Sequence, residues 1–202
     1  MGRWEARHVL HFDVSEVINR YARAFDRKDW DLVRTCFHSD AVDDHGSTVG
    51  RAEDFLAFMQ LRHRDIVESM HFNGNILLLE VDAPRREALV ETYCVGWQRL
   101  SEGALEIPDF YASPLIAPDA SPARLCTVGN RYLDVFSERD GELRISFRTV
   151  IYEWWQAVEY PLPPPFNDKW ALATRDDRDP SLTTLDAMRT RAEEIRAGGP
   201  GR

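Results

Sequence analysis

ESMHFNGNILLLEV, residues 68–81, is where the hydrophobic period of the chain changes. Upstream of it, apolar residues recur at three- and four-residue steps, the spacing of amphipathic helices. From it onward the chain is rich in β-branched and aromatic residues, in runs over residues 67–81, 87–100, 125–136 and 142–156. Such runs read as strands. Asp82-Ala83-Pro84 and Asp140-Gly141 are turn signals between them, and the Asp-Gly pair is a strong hairpin cue. Helices first and an antiparallel meander afterwards define an α+β chain in which the N-terminal helices cover one face of a curved sheet.

Working outward toward the N-terminus, Asp13 followed by Glu16 has the form of a capping box, which predicts a helix from Val14. Val14, Val17, Ile18, Tyr21, Ala24 and Phe25 make its apolar face. Residues 1–12 show no clear period, and Trp4, Val9 and Phe12 are expected to pack as an arm. Asp29 restarts a second short helix with Trp30, Val33, Cys36 and Phe37 inward. AVDDHGSTVG, residues 41–50, reads as a brief strand and a glycine-containing turn, followed by an amphipathic helix around Phe55, Phe58, Met59 and Leu61. Toward the C-terminus, Ser101 to Arg124 carries four prolines and is expected to be a long loop. Residues 1–160 are therefore read as one α+β domain, and 161–202, opening on a proline-rich stretch, as an extension with a short charged helix.

Composition narrows the function. A 202-residue chain of net charge −9 disfavours nucleic acid and anionic membrane surfaces as partners. No apolar run approaches the ~20 residues that cross a bilayer and no signal-peptide core is seen, so a cytoplasmic location is expected. Three widely spaced cysteines, Cys36, Cys94 and Cys126, read as reduced, buried small hydrophobes. Asp43, Asp44 and His45 have metal-binding side chains, but no second ligand pair lies nearby at metal spacing, and a solvated turn is the expected reading.

Chemistry concentrates in two stretches: AFDRKDWD, residues 24–31, and SMHFNGN, residues 69–75. A carboxylate that accepts a hydrogen bond from one imidazole nitrogen fixes the tautomer and raises the basicity of the other. Asp26 and His71 could form such a pair. Asp29 alone can cap the second helix, which leaves Asp26 free to point inward, a costly placement unless it is paired.

These two motifs, with the order of elements around them, resemble the SnoaL-like branch of the nuclear transport factor 2 superfamily. The resemblance covers roughly residues 13–156. It implies a cone-shaped, barrel-like sheet, mixed or antiparallel, around an apolar pocket. It also implies an Asp26–His71 catalytic dyad, as in the dehydratases and the dehydrochlorinase of that branch. Tyr21, five positions before Asp26, and Arg148, seven past Gly141, match further site residues of those enzymes. Where one dehydratase has its water-activating tyrosines, this chain has Phe25 and either Asp44 or His45. The expected catalytic set is thus His71, Asp26, Tyr21 and Arg148. The expected pocket lining is Asp44, Tyr93, Trp97, Tyr132, Phe25 and Phe55. The reading needs no cofactor and no metal, and its partners are a small hydrophobic substrate and further copies of the chain in a dimer or trimer. It makes the chain a dehydratase-type lyase or an isomerase. Two other readings stand beside it: a non-catalytic binding or assembly module, and a cyclase or epoxide hydrolase working through Asp44.

Overall fold

The computed structural model describes residues 3–46, 48–104, 123–160, 167 and 170–197. Its first element is longer than expected. A single 25-residue helix, α1 (Arg3–Arg27), takes the place of both the arm and the capped start at Val14. The apolar stripe simply continues back one more step, to a buried Leu10, while Trp4, Val9 and Phe12 are exposed. Asp13 lies inside this helix and pairs with Arg86 instead of capping anything. Along the same helix Arg7 donates to the Leu78 carbonyl, and His11 bonds the Ile76 carbonyl at 3.1 Å, which ties α1 to the strand that follows.

The helix ends by a device that matters for the site. Lys28 adopts the left-handed conformation, at φ 57°. The Asp29 N–H returns to the Ala24 carbonyl at 2.9 Å and the Lys28 N–H to that of Phe25 at 3.3 Å. This is a Schellman termination built on lysine instead of the usual glycine. Asp29 then caps α2 (Trp30–Arg34), accepting from the Leu32 N–H at 3.0 Å. Phe37, expected in that second helix, instead opens β1 (Phe37–Asp44), which runs on to β2 (Val49–Arg51) and α3 (Ala52–Arg62). In α3 Leu56 takes the buried place expected of Leu61, which is 48% exposed.

Four long strands follow: β3 (Ile66–Asp82), β4 (Glu87–Leu100), β5 (Arg124–Arg139) and β6 (Glu142–Glu159). The six strands form one mixed, curled and unclosed sheet in the order β2-β1-β6-β5-β4-β3. All pairs are antiparallel except β1 with β6. The β5–β6 hairpin turns on Asp140 and Gly141, both at positive φ (54° and 80°), as a two-residue type I′ turn requires. Helix α1 and the inner face of the sheet share one core of which Ile18, Phe25, Phe55, Leu78, Val90 and Phe136 are part. Each such side chain contributes about 1.5–3 kcal/mol by leaving water.

Strand parity decides which residues reach the interior. On β4 the even-numbered residues Thr92, Cys94, Gly96 and Gln98 are buried. Tyr93 and Trp97 therefore stand on the outer face, not in the pocket where they were expected. Residues 105–122, most of the expected loop, lie outside the described residues. The chain divides into two compact units, Met1–Pro161 and Leu162–Arg202. The second contains α4 (Leu185–Arg196), whose Thr184 cap accepts from the Ala187 N–H at 3.1 Å. Among the described residues no helix is long and apolar enough to cross a membrane.

Candidate active site

The Schellman turn follows Asp26 closely, one residue before the end of α1, where its carboxylate reaches β3. There it accepts three hydrogen bonds. Two reach Oδ1, from His71 Nδ1 and Ser69 Oγ, both at 2.7 Å; the third runs from the His71 backbone N–H to Oδ2 at 2.8 Å. Ser69 and His71 share a strand face, so one carboxylate holds both. Burial works to raise the Asp26 carboxyl, yet the His71 and Ser69 bonds hold it below the ordinary value of 3.8. Ionised, Asp26 can only accept. The Nδ1 of His71 must then carry its proton, and the lone pair of a neutral ring sits on Nε2. Among the described residues nothing is hydrogen-bonded to that nitrogen.

Space beside Nε2 is kept by Gly96, which faces His71 across the β3–β4 ladder. A Cβ at Gly96 would lie 3.9 Å from Nε2 and 3.0 Å from a methyl of Val128. The Phe25 ring meets the imidazole edge-on, 6.2 Å between centroids. With its side chain 13% exposed, His71 lies near the edge of the interior, unlike the fully buried groups described next.

Tyr21 and Arg148 belong to a different cluster. Arg148 is fully buried and spends its Nε and Nη2 on a two-pronged pair with Asp134, both contacts 2.7 Å. Asp134 is its direct cross-strand neighbour on β5. Among the described residues neither Asp26 nor Asp44 is bonded to Arg148. The rings of Tyr21 and Tyr132 pack against the guanidinium, at 4.3 and 4.0 Å from its centre. Burial alone would discharge Arg148, but Asp134 keeps it charged well above its ordinary range. Burial pushes Asp134 up, Arg148 draws it back, and Asp43 pushes it up again. Burial likewise pushes the Tyr21 and Tyr132 phenols upward, so both stay neutral. The four expected catalytic residues thus fall into two pairs, Asp26 with His71 and Tyr21 with Arg148.

A second Asp–His pair was not anticipated. Asp43, fully buried, bonds His45 Nδ1, and the His45 ring stacks on Phe55 at 3.9 Å between centroids. Residues 43–45 are therefore no solvated turn. Asp44 is the outward member: its carboxylate accepts from the Gly46 N–H at 2.9 Å, an Asx-type turn. It does not line the pocket, and a mechanism resting on an inward Asp44 loses its geometry. Phe25 links the two centres, touching His71 on one side and Phe55 on the other. The Cys94 thiol, beside the Tyr132 hydroxyl, is raised to about 11, by burial first; Tyr132 and Arg148 oppose that shift and Asp26 adds to it. Several inward polar atoms on this face have no partner among the described residues: Asn73 Oδ1, Thr92 Oγ1, Asn130 Oδ1, Asp43 Oδ2 and Arg148 Nη1.

Residues 11–149 match the SnoaL-like domain family, and the chain belongs to it. Among solved structures it is similar to a protein of Novosphingobium aromaticivorans provisionally named a scytalone dehydratase. That likeness has a TM-score of 0.59 and 14% identity over 79% of this chain and 93% of that one. The hexachlorocyclohexane dehydrochlorinase of Novosphingobium barchaimii is similar at TM-score 0.58 and 13% identity, covering 78% and 98% of the two chains. The β-subunit of an aromatic-ring-hydroxylating dioxygenase, also a provisional name and from Novosphingobium aromaticivorans, follows at TM-score 0.51 and 17% identity, covering 73% and 92%. No protein of curated function matches the sequence. At these identities the likenesses show the fold.

Proposed function

We propose that the chain is a cofactor-independent lyase of the dehydratase type, or an isomerase, with His71 as general base and Asp26 as the residue that orients it. The observation that carries this reading is the three-bond clamp on Asp26, which leaves Nε2 of His71 as an unengaged lone pair beside Gly96. Nε2 takes a proton from carbon next to a carbonyl or conjugated system. The electron pair released forms the new double bond as the β-hydroxyl departs. The proton held on the imidazolium passes to that hydroxide, which leaves as water. In the isomerase variant the same proton returns to another carbon. Asp26 compensates the positive charge on the ring while it lasts. A positioned base of this kind contributes roughly 10²–10⁴ in rate.

The apolar rings Phe25 and Phe55 and the ring of Tyr132, all buried on the inner side, favour a hydrophobic substrate, polycyclic molecules such as steroids and polyketides included. Enzymes named for dehydration and dehydrochlorination among the structural neighbours support an elimination. Self-association belongs to the same reading, because Phe72, Tyr93 and Trp154 are exposed on the outer sheet face, 73%, 45% and 49%. Light scattering on the purified chain reads the dimer or trimer directly.

The test is a turnover screen of β-hydroxyketones built on steroid and aromatic polyketide skeletons, run with wild type, His71→Ala and Asp26→Asn. Loss of turnover in both variants is expected. Turnover that survives His71→Ala sinks the proposal, and binding without turnover in wild type points instead to a carrier.

A further inference from the structure

The Arg148 cluster has one open edge. Asp134 occupies Nε and Nη2, and the rings of Tyr21 and Tyr132 lie 4.3 and 4.0 Å from the guanidinium carbon, so Nη1 is the nitrogen left for a further partner. That nitrogen is buried and has no partner among the described residues. Directly beside Arg148, on the parallel neighbour β1, stands Asp43. Its Oδ1 is taken by His45, and its Oδ2 is buried and equally without a described partner. A charged donor and a charged acceptor thus stand unfilled at paired positions of two adjacent strands. Leaving either group unsatisfied in an apolar interior is costly, more so for charged groups.

We propose that Asp43 and Arg148 form a polar subsite that binds one hydroxyl group of a hydrophobic ligand. A hydroxyl accepts from Nη1–H and donates to Oδ2, and its carbon faces the surrounding aromatic rings. The complementarity is specific. A ketone oxygen could accept from Arg148 but would face the Asp43 carboxylate with no proton to offer. A hydrocarbon leaves both charged groups unfilled. A lone water fits less well, since after meeting these two groups its second hydrogen and second lone pair would point at rings, whereas buried waters typically make about three bonds. The neutral orphans Thr92 and Asn130 offer no comparable pair of opposite charges. This inference deepens the lyase reading by giving its substrate a second polar group, held away from the reacting carbon, but its test is a binding measurement that needs no turnover.

Three probes on one skeleton separate the possibilities: tetralin, 2-tetralol and 2-tetralone, with dissociation constants measured by calorimetry on the full chain. Wild type is expected to bind 2-tetralol about 10- to 100-fold tighter than tetralin, the range of a hydrogen bond to a charged group. The ketone should fall well below the alcohol. In Asp43→Asn, His45 keeps the amide oxygen, so the amide N–H₂ takes the position of Oδ2. Two donors then face the ligand, and the preference should invert toward 2-tetralone. His71→Ala should keep the hydroxyl preference, so a failed dyad and a failed subsite give different results. Equal affinities for tetralin and 2-tetralol in wild type would mean that a buried water alone fills the position, and the proposal falls. It falls equally if none of the three binds, or if Asp43→Asn folds and still prefers the alcohol. Should that variant not fold, the wild-type ranking of the three probes decides.

Discussion

Replacing Asp26 by asparagine changes one atom and reverses the polarity of one hydrogen-bonding position. The carboxylate now accepts from His71 Nδ1, from Ser69 Oγ and from the His71 backbone N–H. In Asp26→Asn the amide oxygen can serve only one side. If it stays with Nδ1 and Ser69, the amide N–H₂ confronts the His71 N–H, and that buried donor is orphaned at a cost of about 1–3 kcal/mol. For a chain of this size the melting temperature should fall by roughly 2–12 °C. If the amide turns over instead, His71 must move its proton to Nε2, and the lone pair the reaction needs is gone. Imidazole ¹⁵N NMR distinguishes the outcomes without a substrate, since it reports which ring nitrogen is protonated in the neutral ring. The pH dependence carries the same signature. Asp26 lies below its ordinary value of 3.8 in the folded chain, so its stabilisation is complete above 3.8 and is lost as the pH falls through the folded value. The stability gap between wild type and Asp26→Asn, followed by urea unfolding, should therefore hold from neutral pH to 3.8 and close below it. A gap that stays constant as the pH falls through the folded value, with an unchanged tautomer in the variant, would refute the clamp as what fixes the His71 ring.

Other expectations follow from the same geometry. Arg148→Met leaves Asp134 buried without its partner and should cost about 3–5 kcal/mol in urea unfolding, while Arg148→Met with Asp134→Leu should recover much of that loss. An additive double variant would show that the pair is not coupled. Asp44→Asn should alter stability by no more than about 0.5 kcal/mol and leave turnover intact, because among the described residues its carboxylate serves only the Gly46 turn. A loss of activity there would return Asp44 to the site. Gly96→Ala places a methyl 3.9 Å from His71 Nε2, so carbethoxylation of His71 by diethyl pyrocarbonate, mapped by mass spectrometry, should slow while the ring tautomer stays as in wild type.

Much of this was legible in the sequence, and the parts that were not share a cause. The Asp26–His71 pair could be expected because the chain supplies two aspartates where one cap is needed, because the switch of period at residue 68 puts His71 on a strand, and above all because the two motifs resemble those of the SnoaL-like branch. The four long strands announced themselves by composition and by Asp140-Gly141. Parity was harder. The strand starts at Phe37, inside what reads as a helix, and a one-residue error in parity sends every side chain to the other face. Counted from Ala41, which is buried, Asp43 and His45 point inward and Asp44 outward. Tyr93 and Trp97 were misplaced for the converse reason: aromatic content suggested the pocket, while the inner face of β4 carries Cys94, Gly96 and Gln98. The first turns of α1 were hidden by exposed Trp4 and Phe12, which mask the stripe that Leu10 continues. The Asp134 partner of Arg148 is visible only in the register, which sets the two directly opposite each other.

On the proposed reading, the two polar centres divide the work by how freely their charge can change. Arg148 cannot give up its proton in a protein interior, and two of its nitrogens are locked to Asp134 beside the rings of Tyr21 and Tyr132. It can fix a ligand but cannot exchange a proton with it. His71 is the opposite case. One nitrogen is fixed by a carboxylate that stays ionised, and the other is unengaged among the described residues. A proton arriving on Nε2 creates a cation directly against an anion already in place, so the interior never holds an uncompensated charge during transfer. The three donors on Asp26 are therefore as much a part of the chemistry as the imidazole. They keep the compensating charge present before the substrate arrives, which is the condition for electrostatic stabilisation without reorganisation.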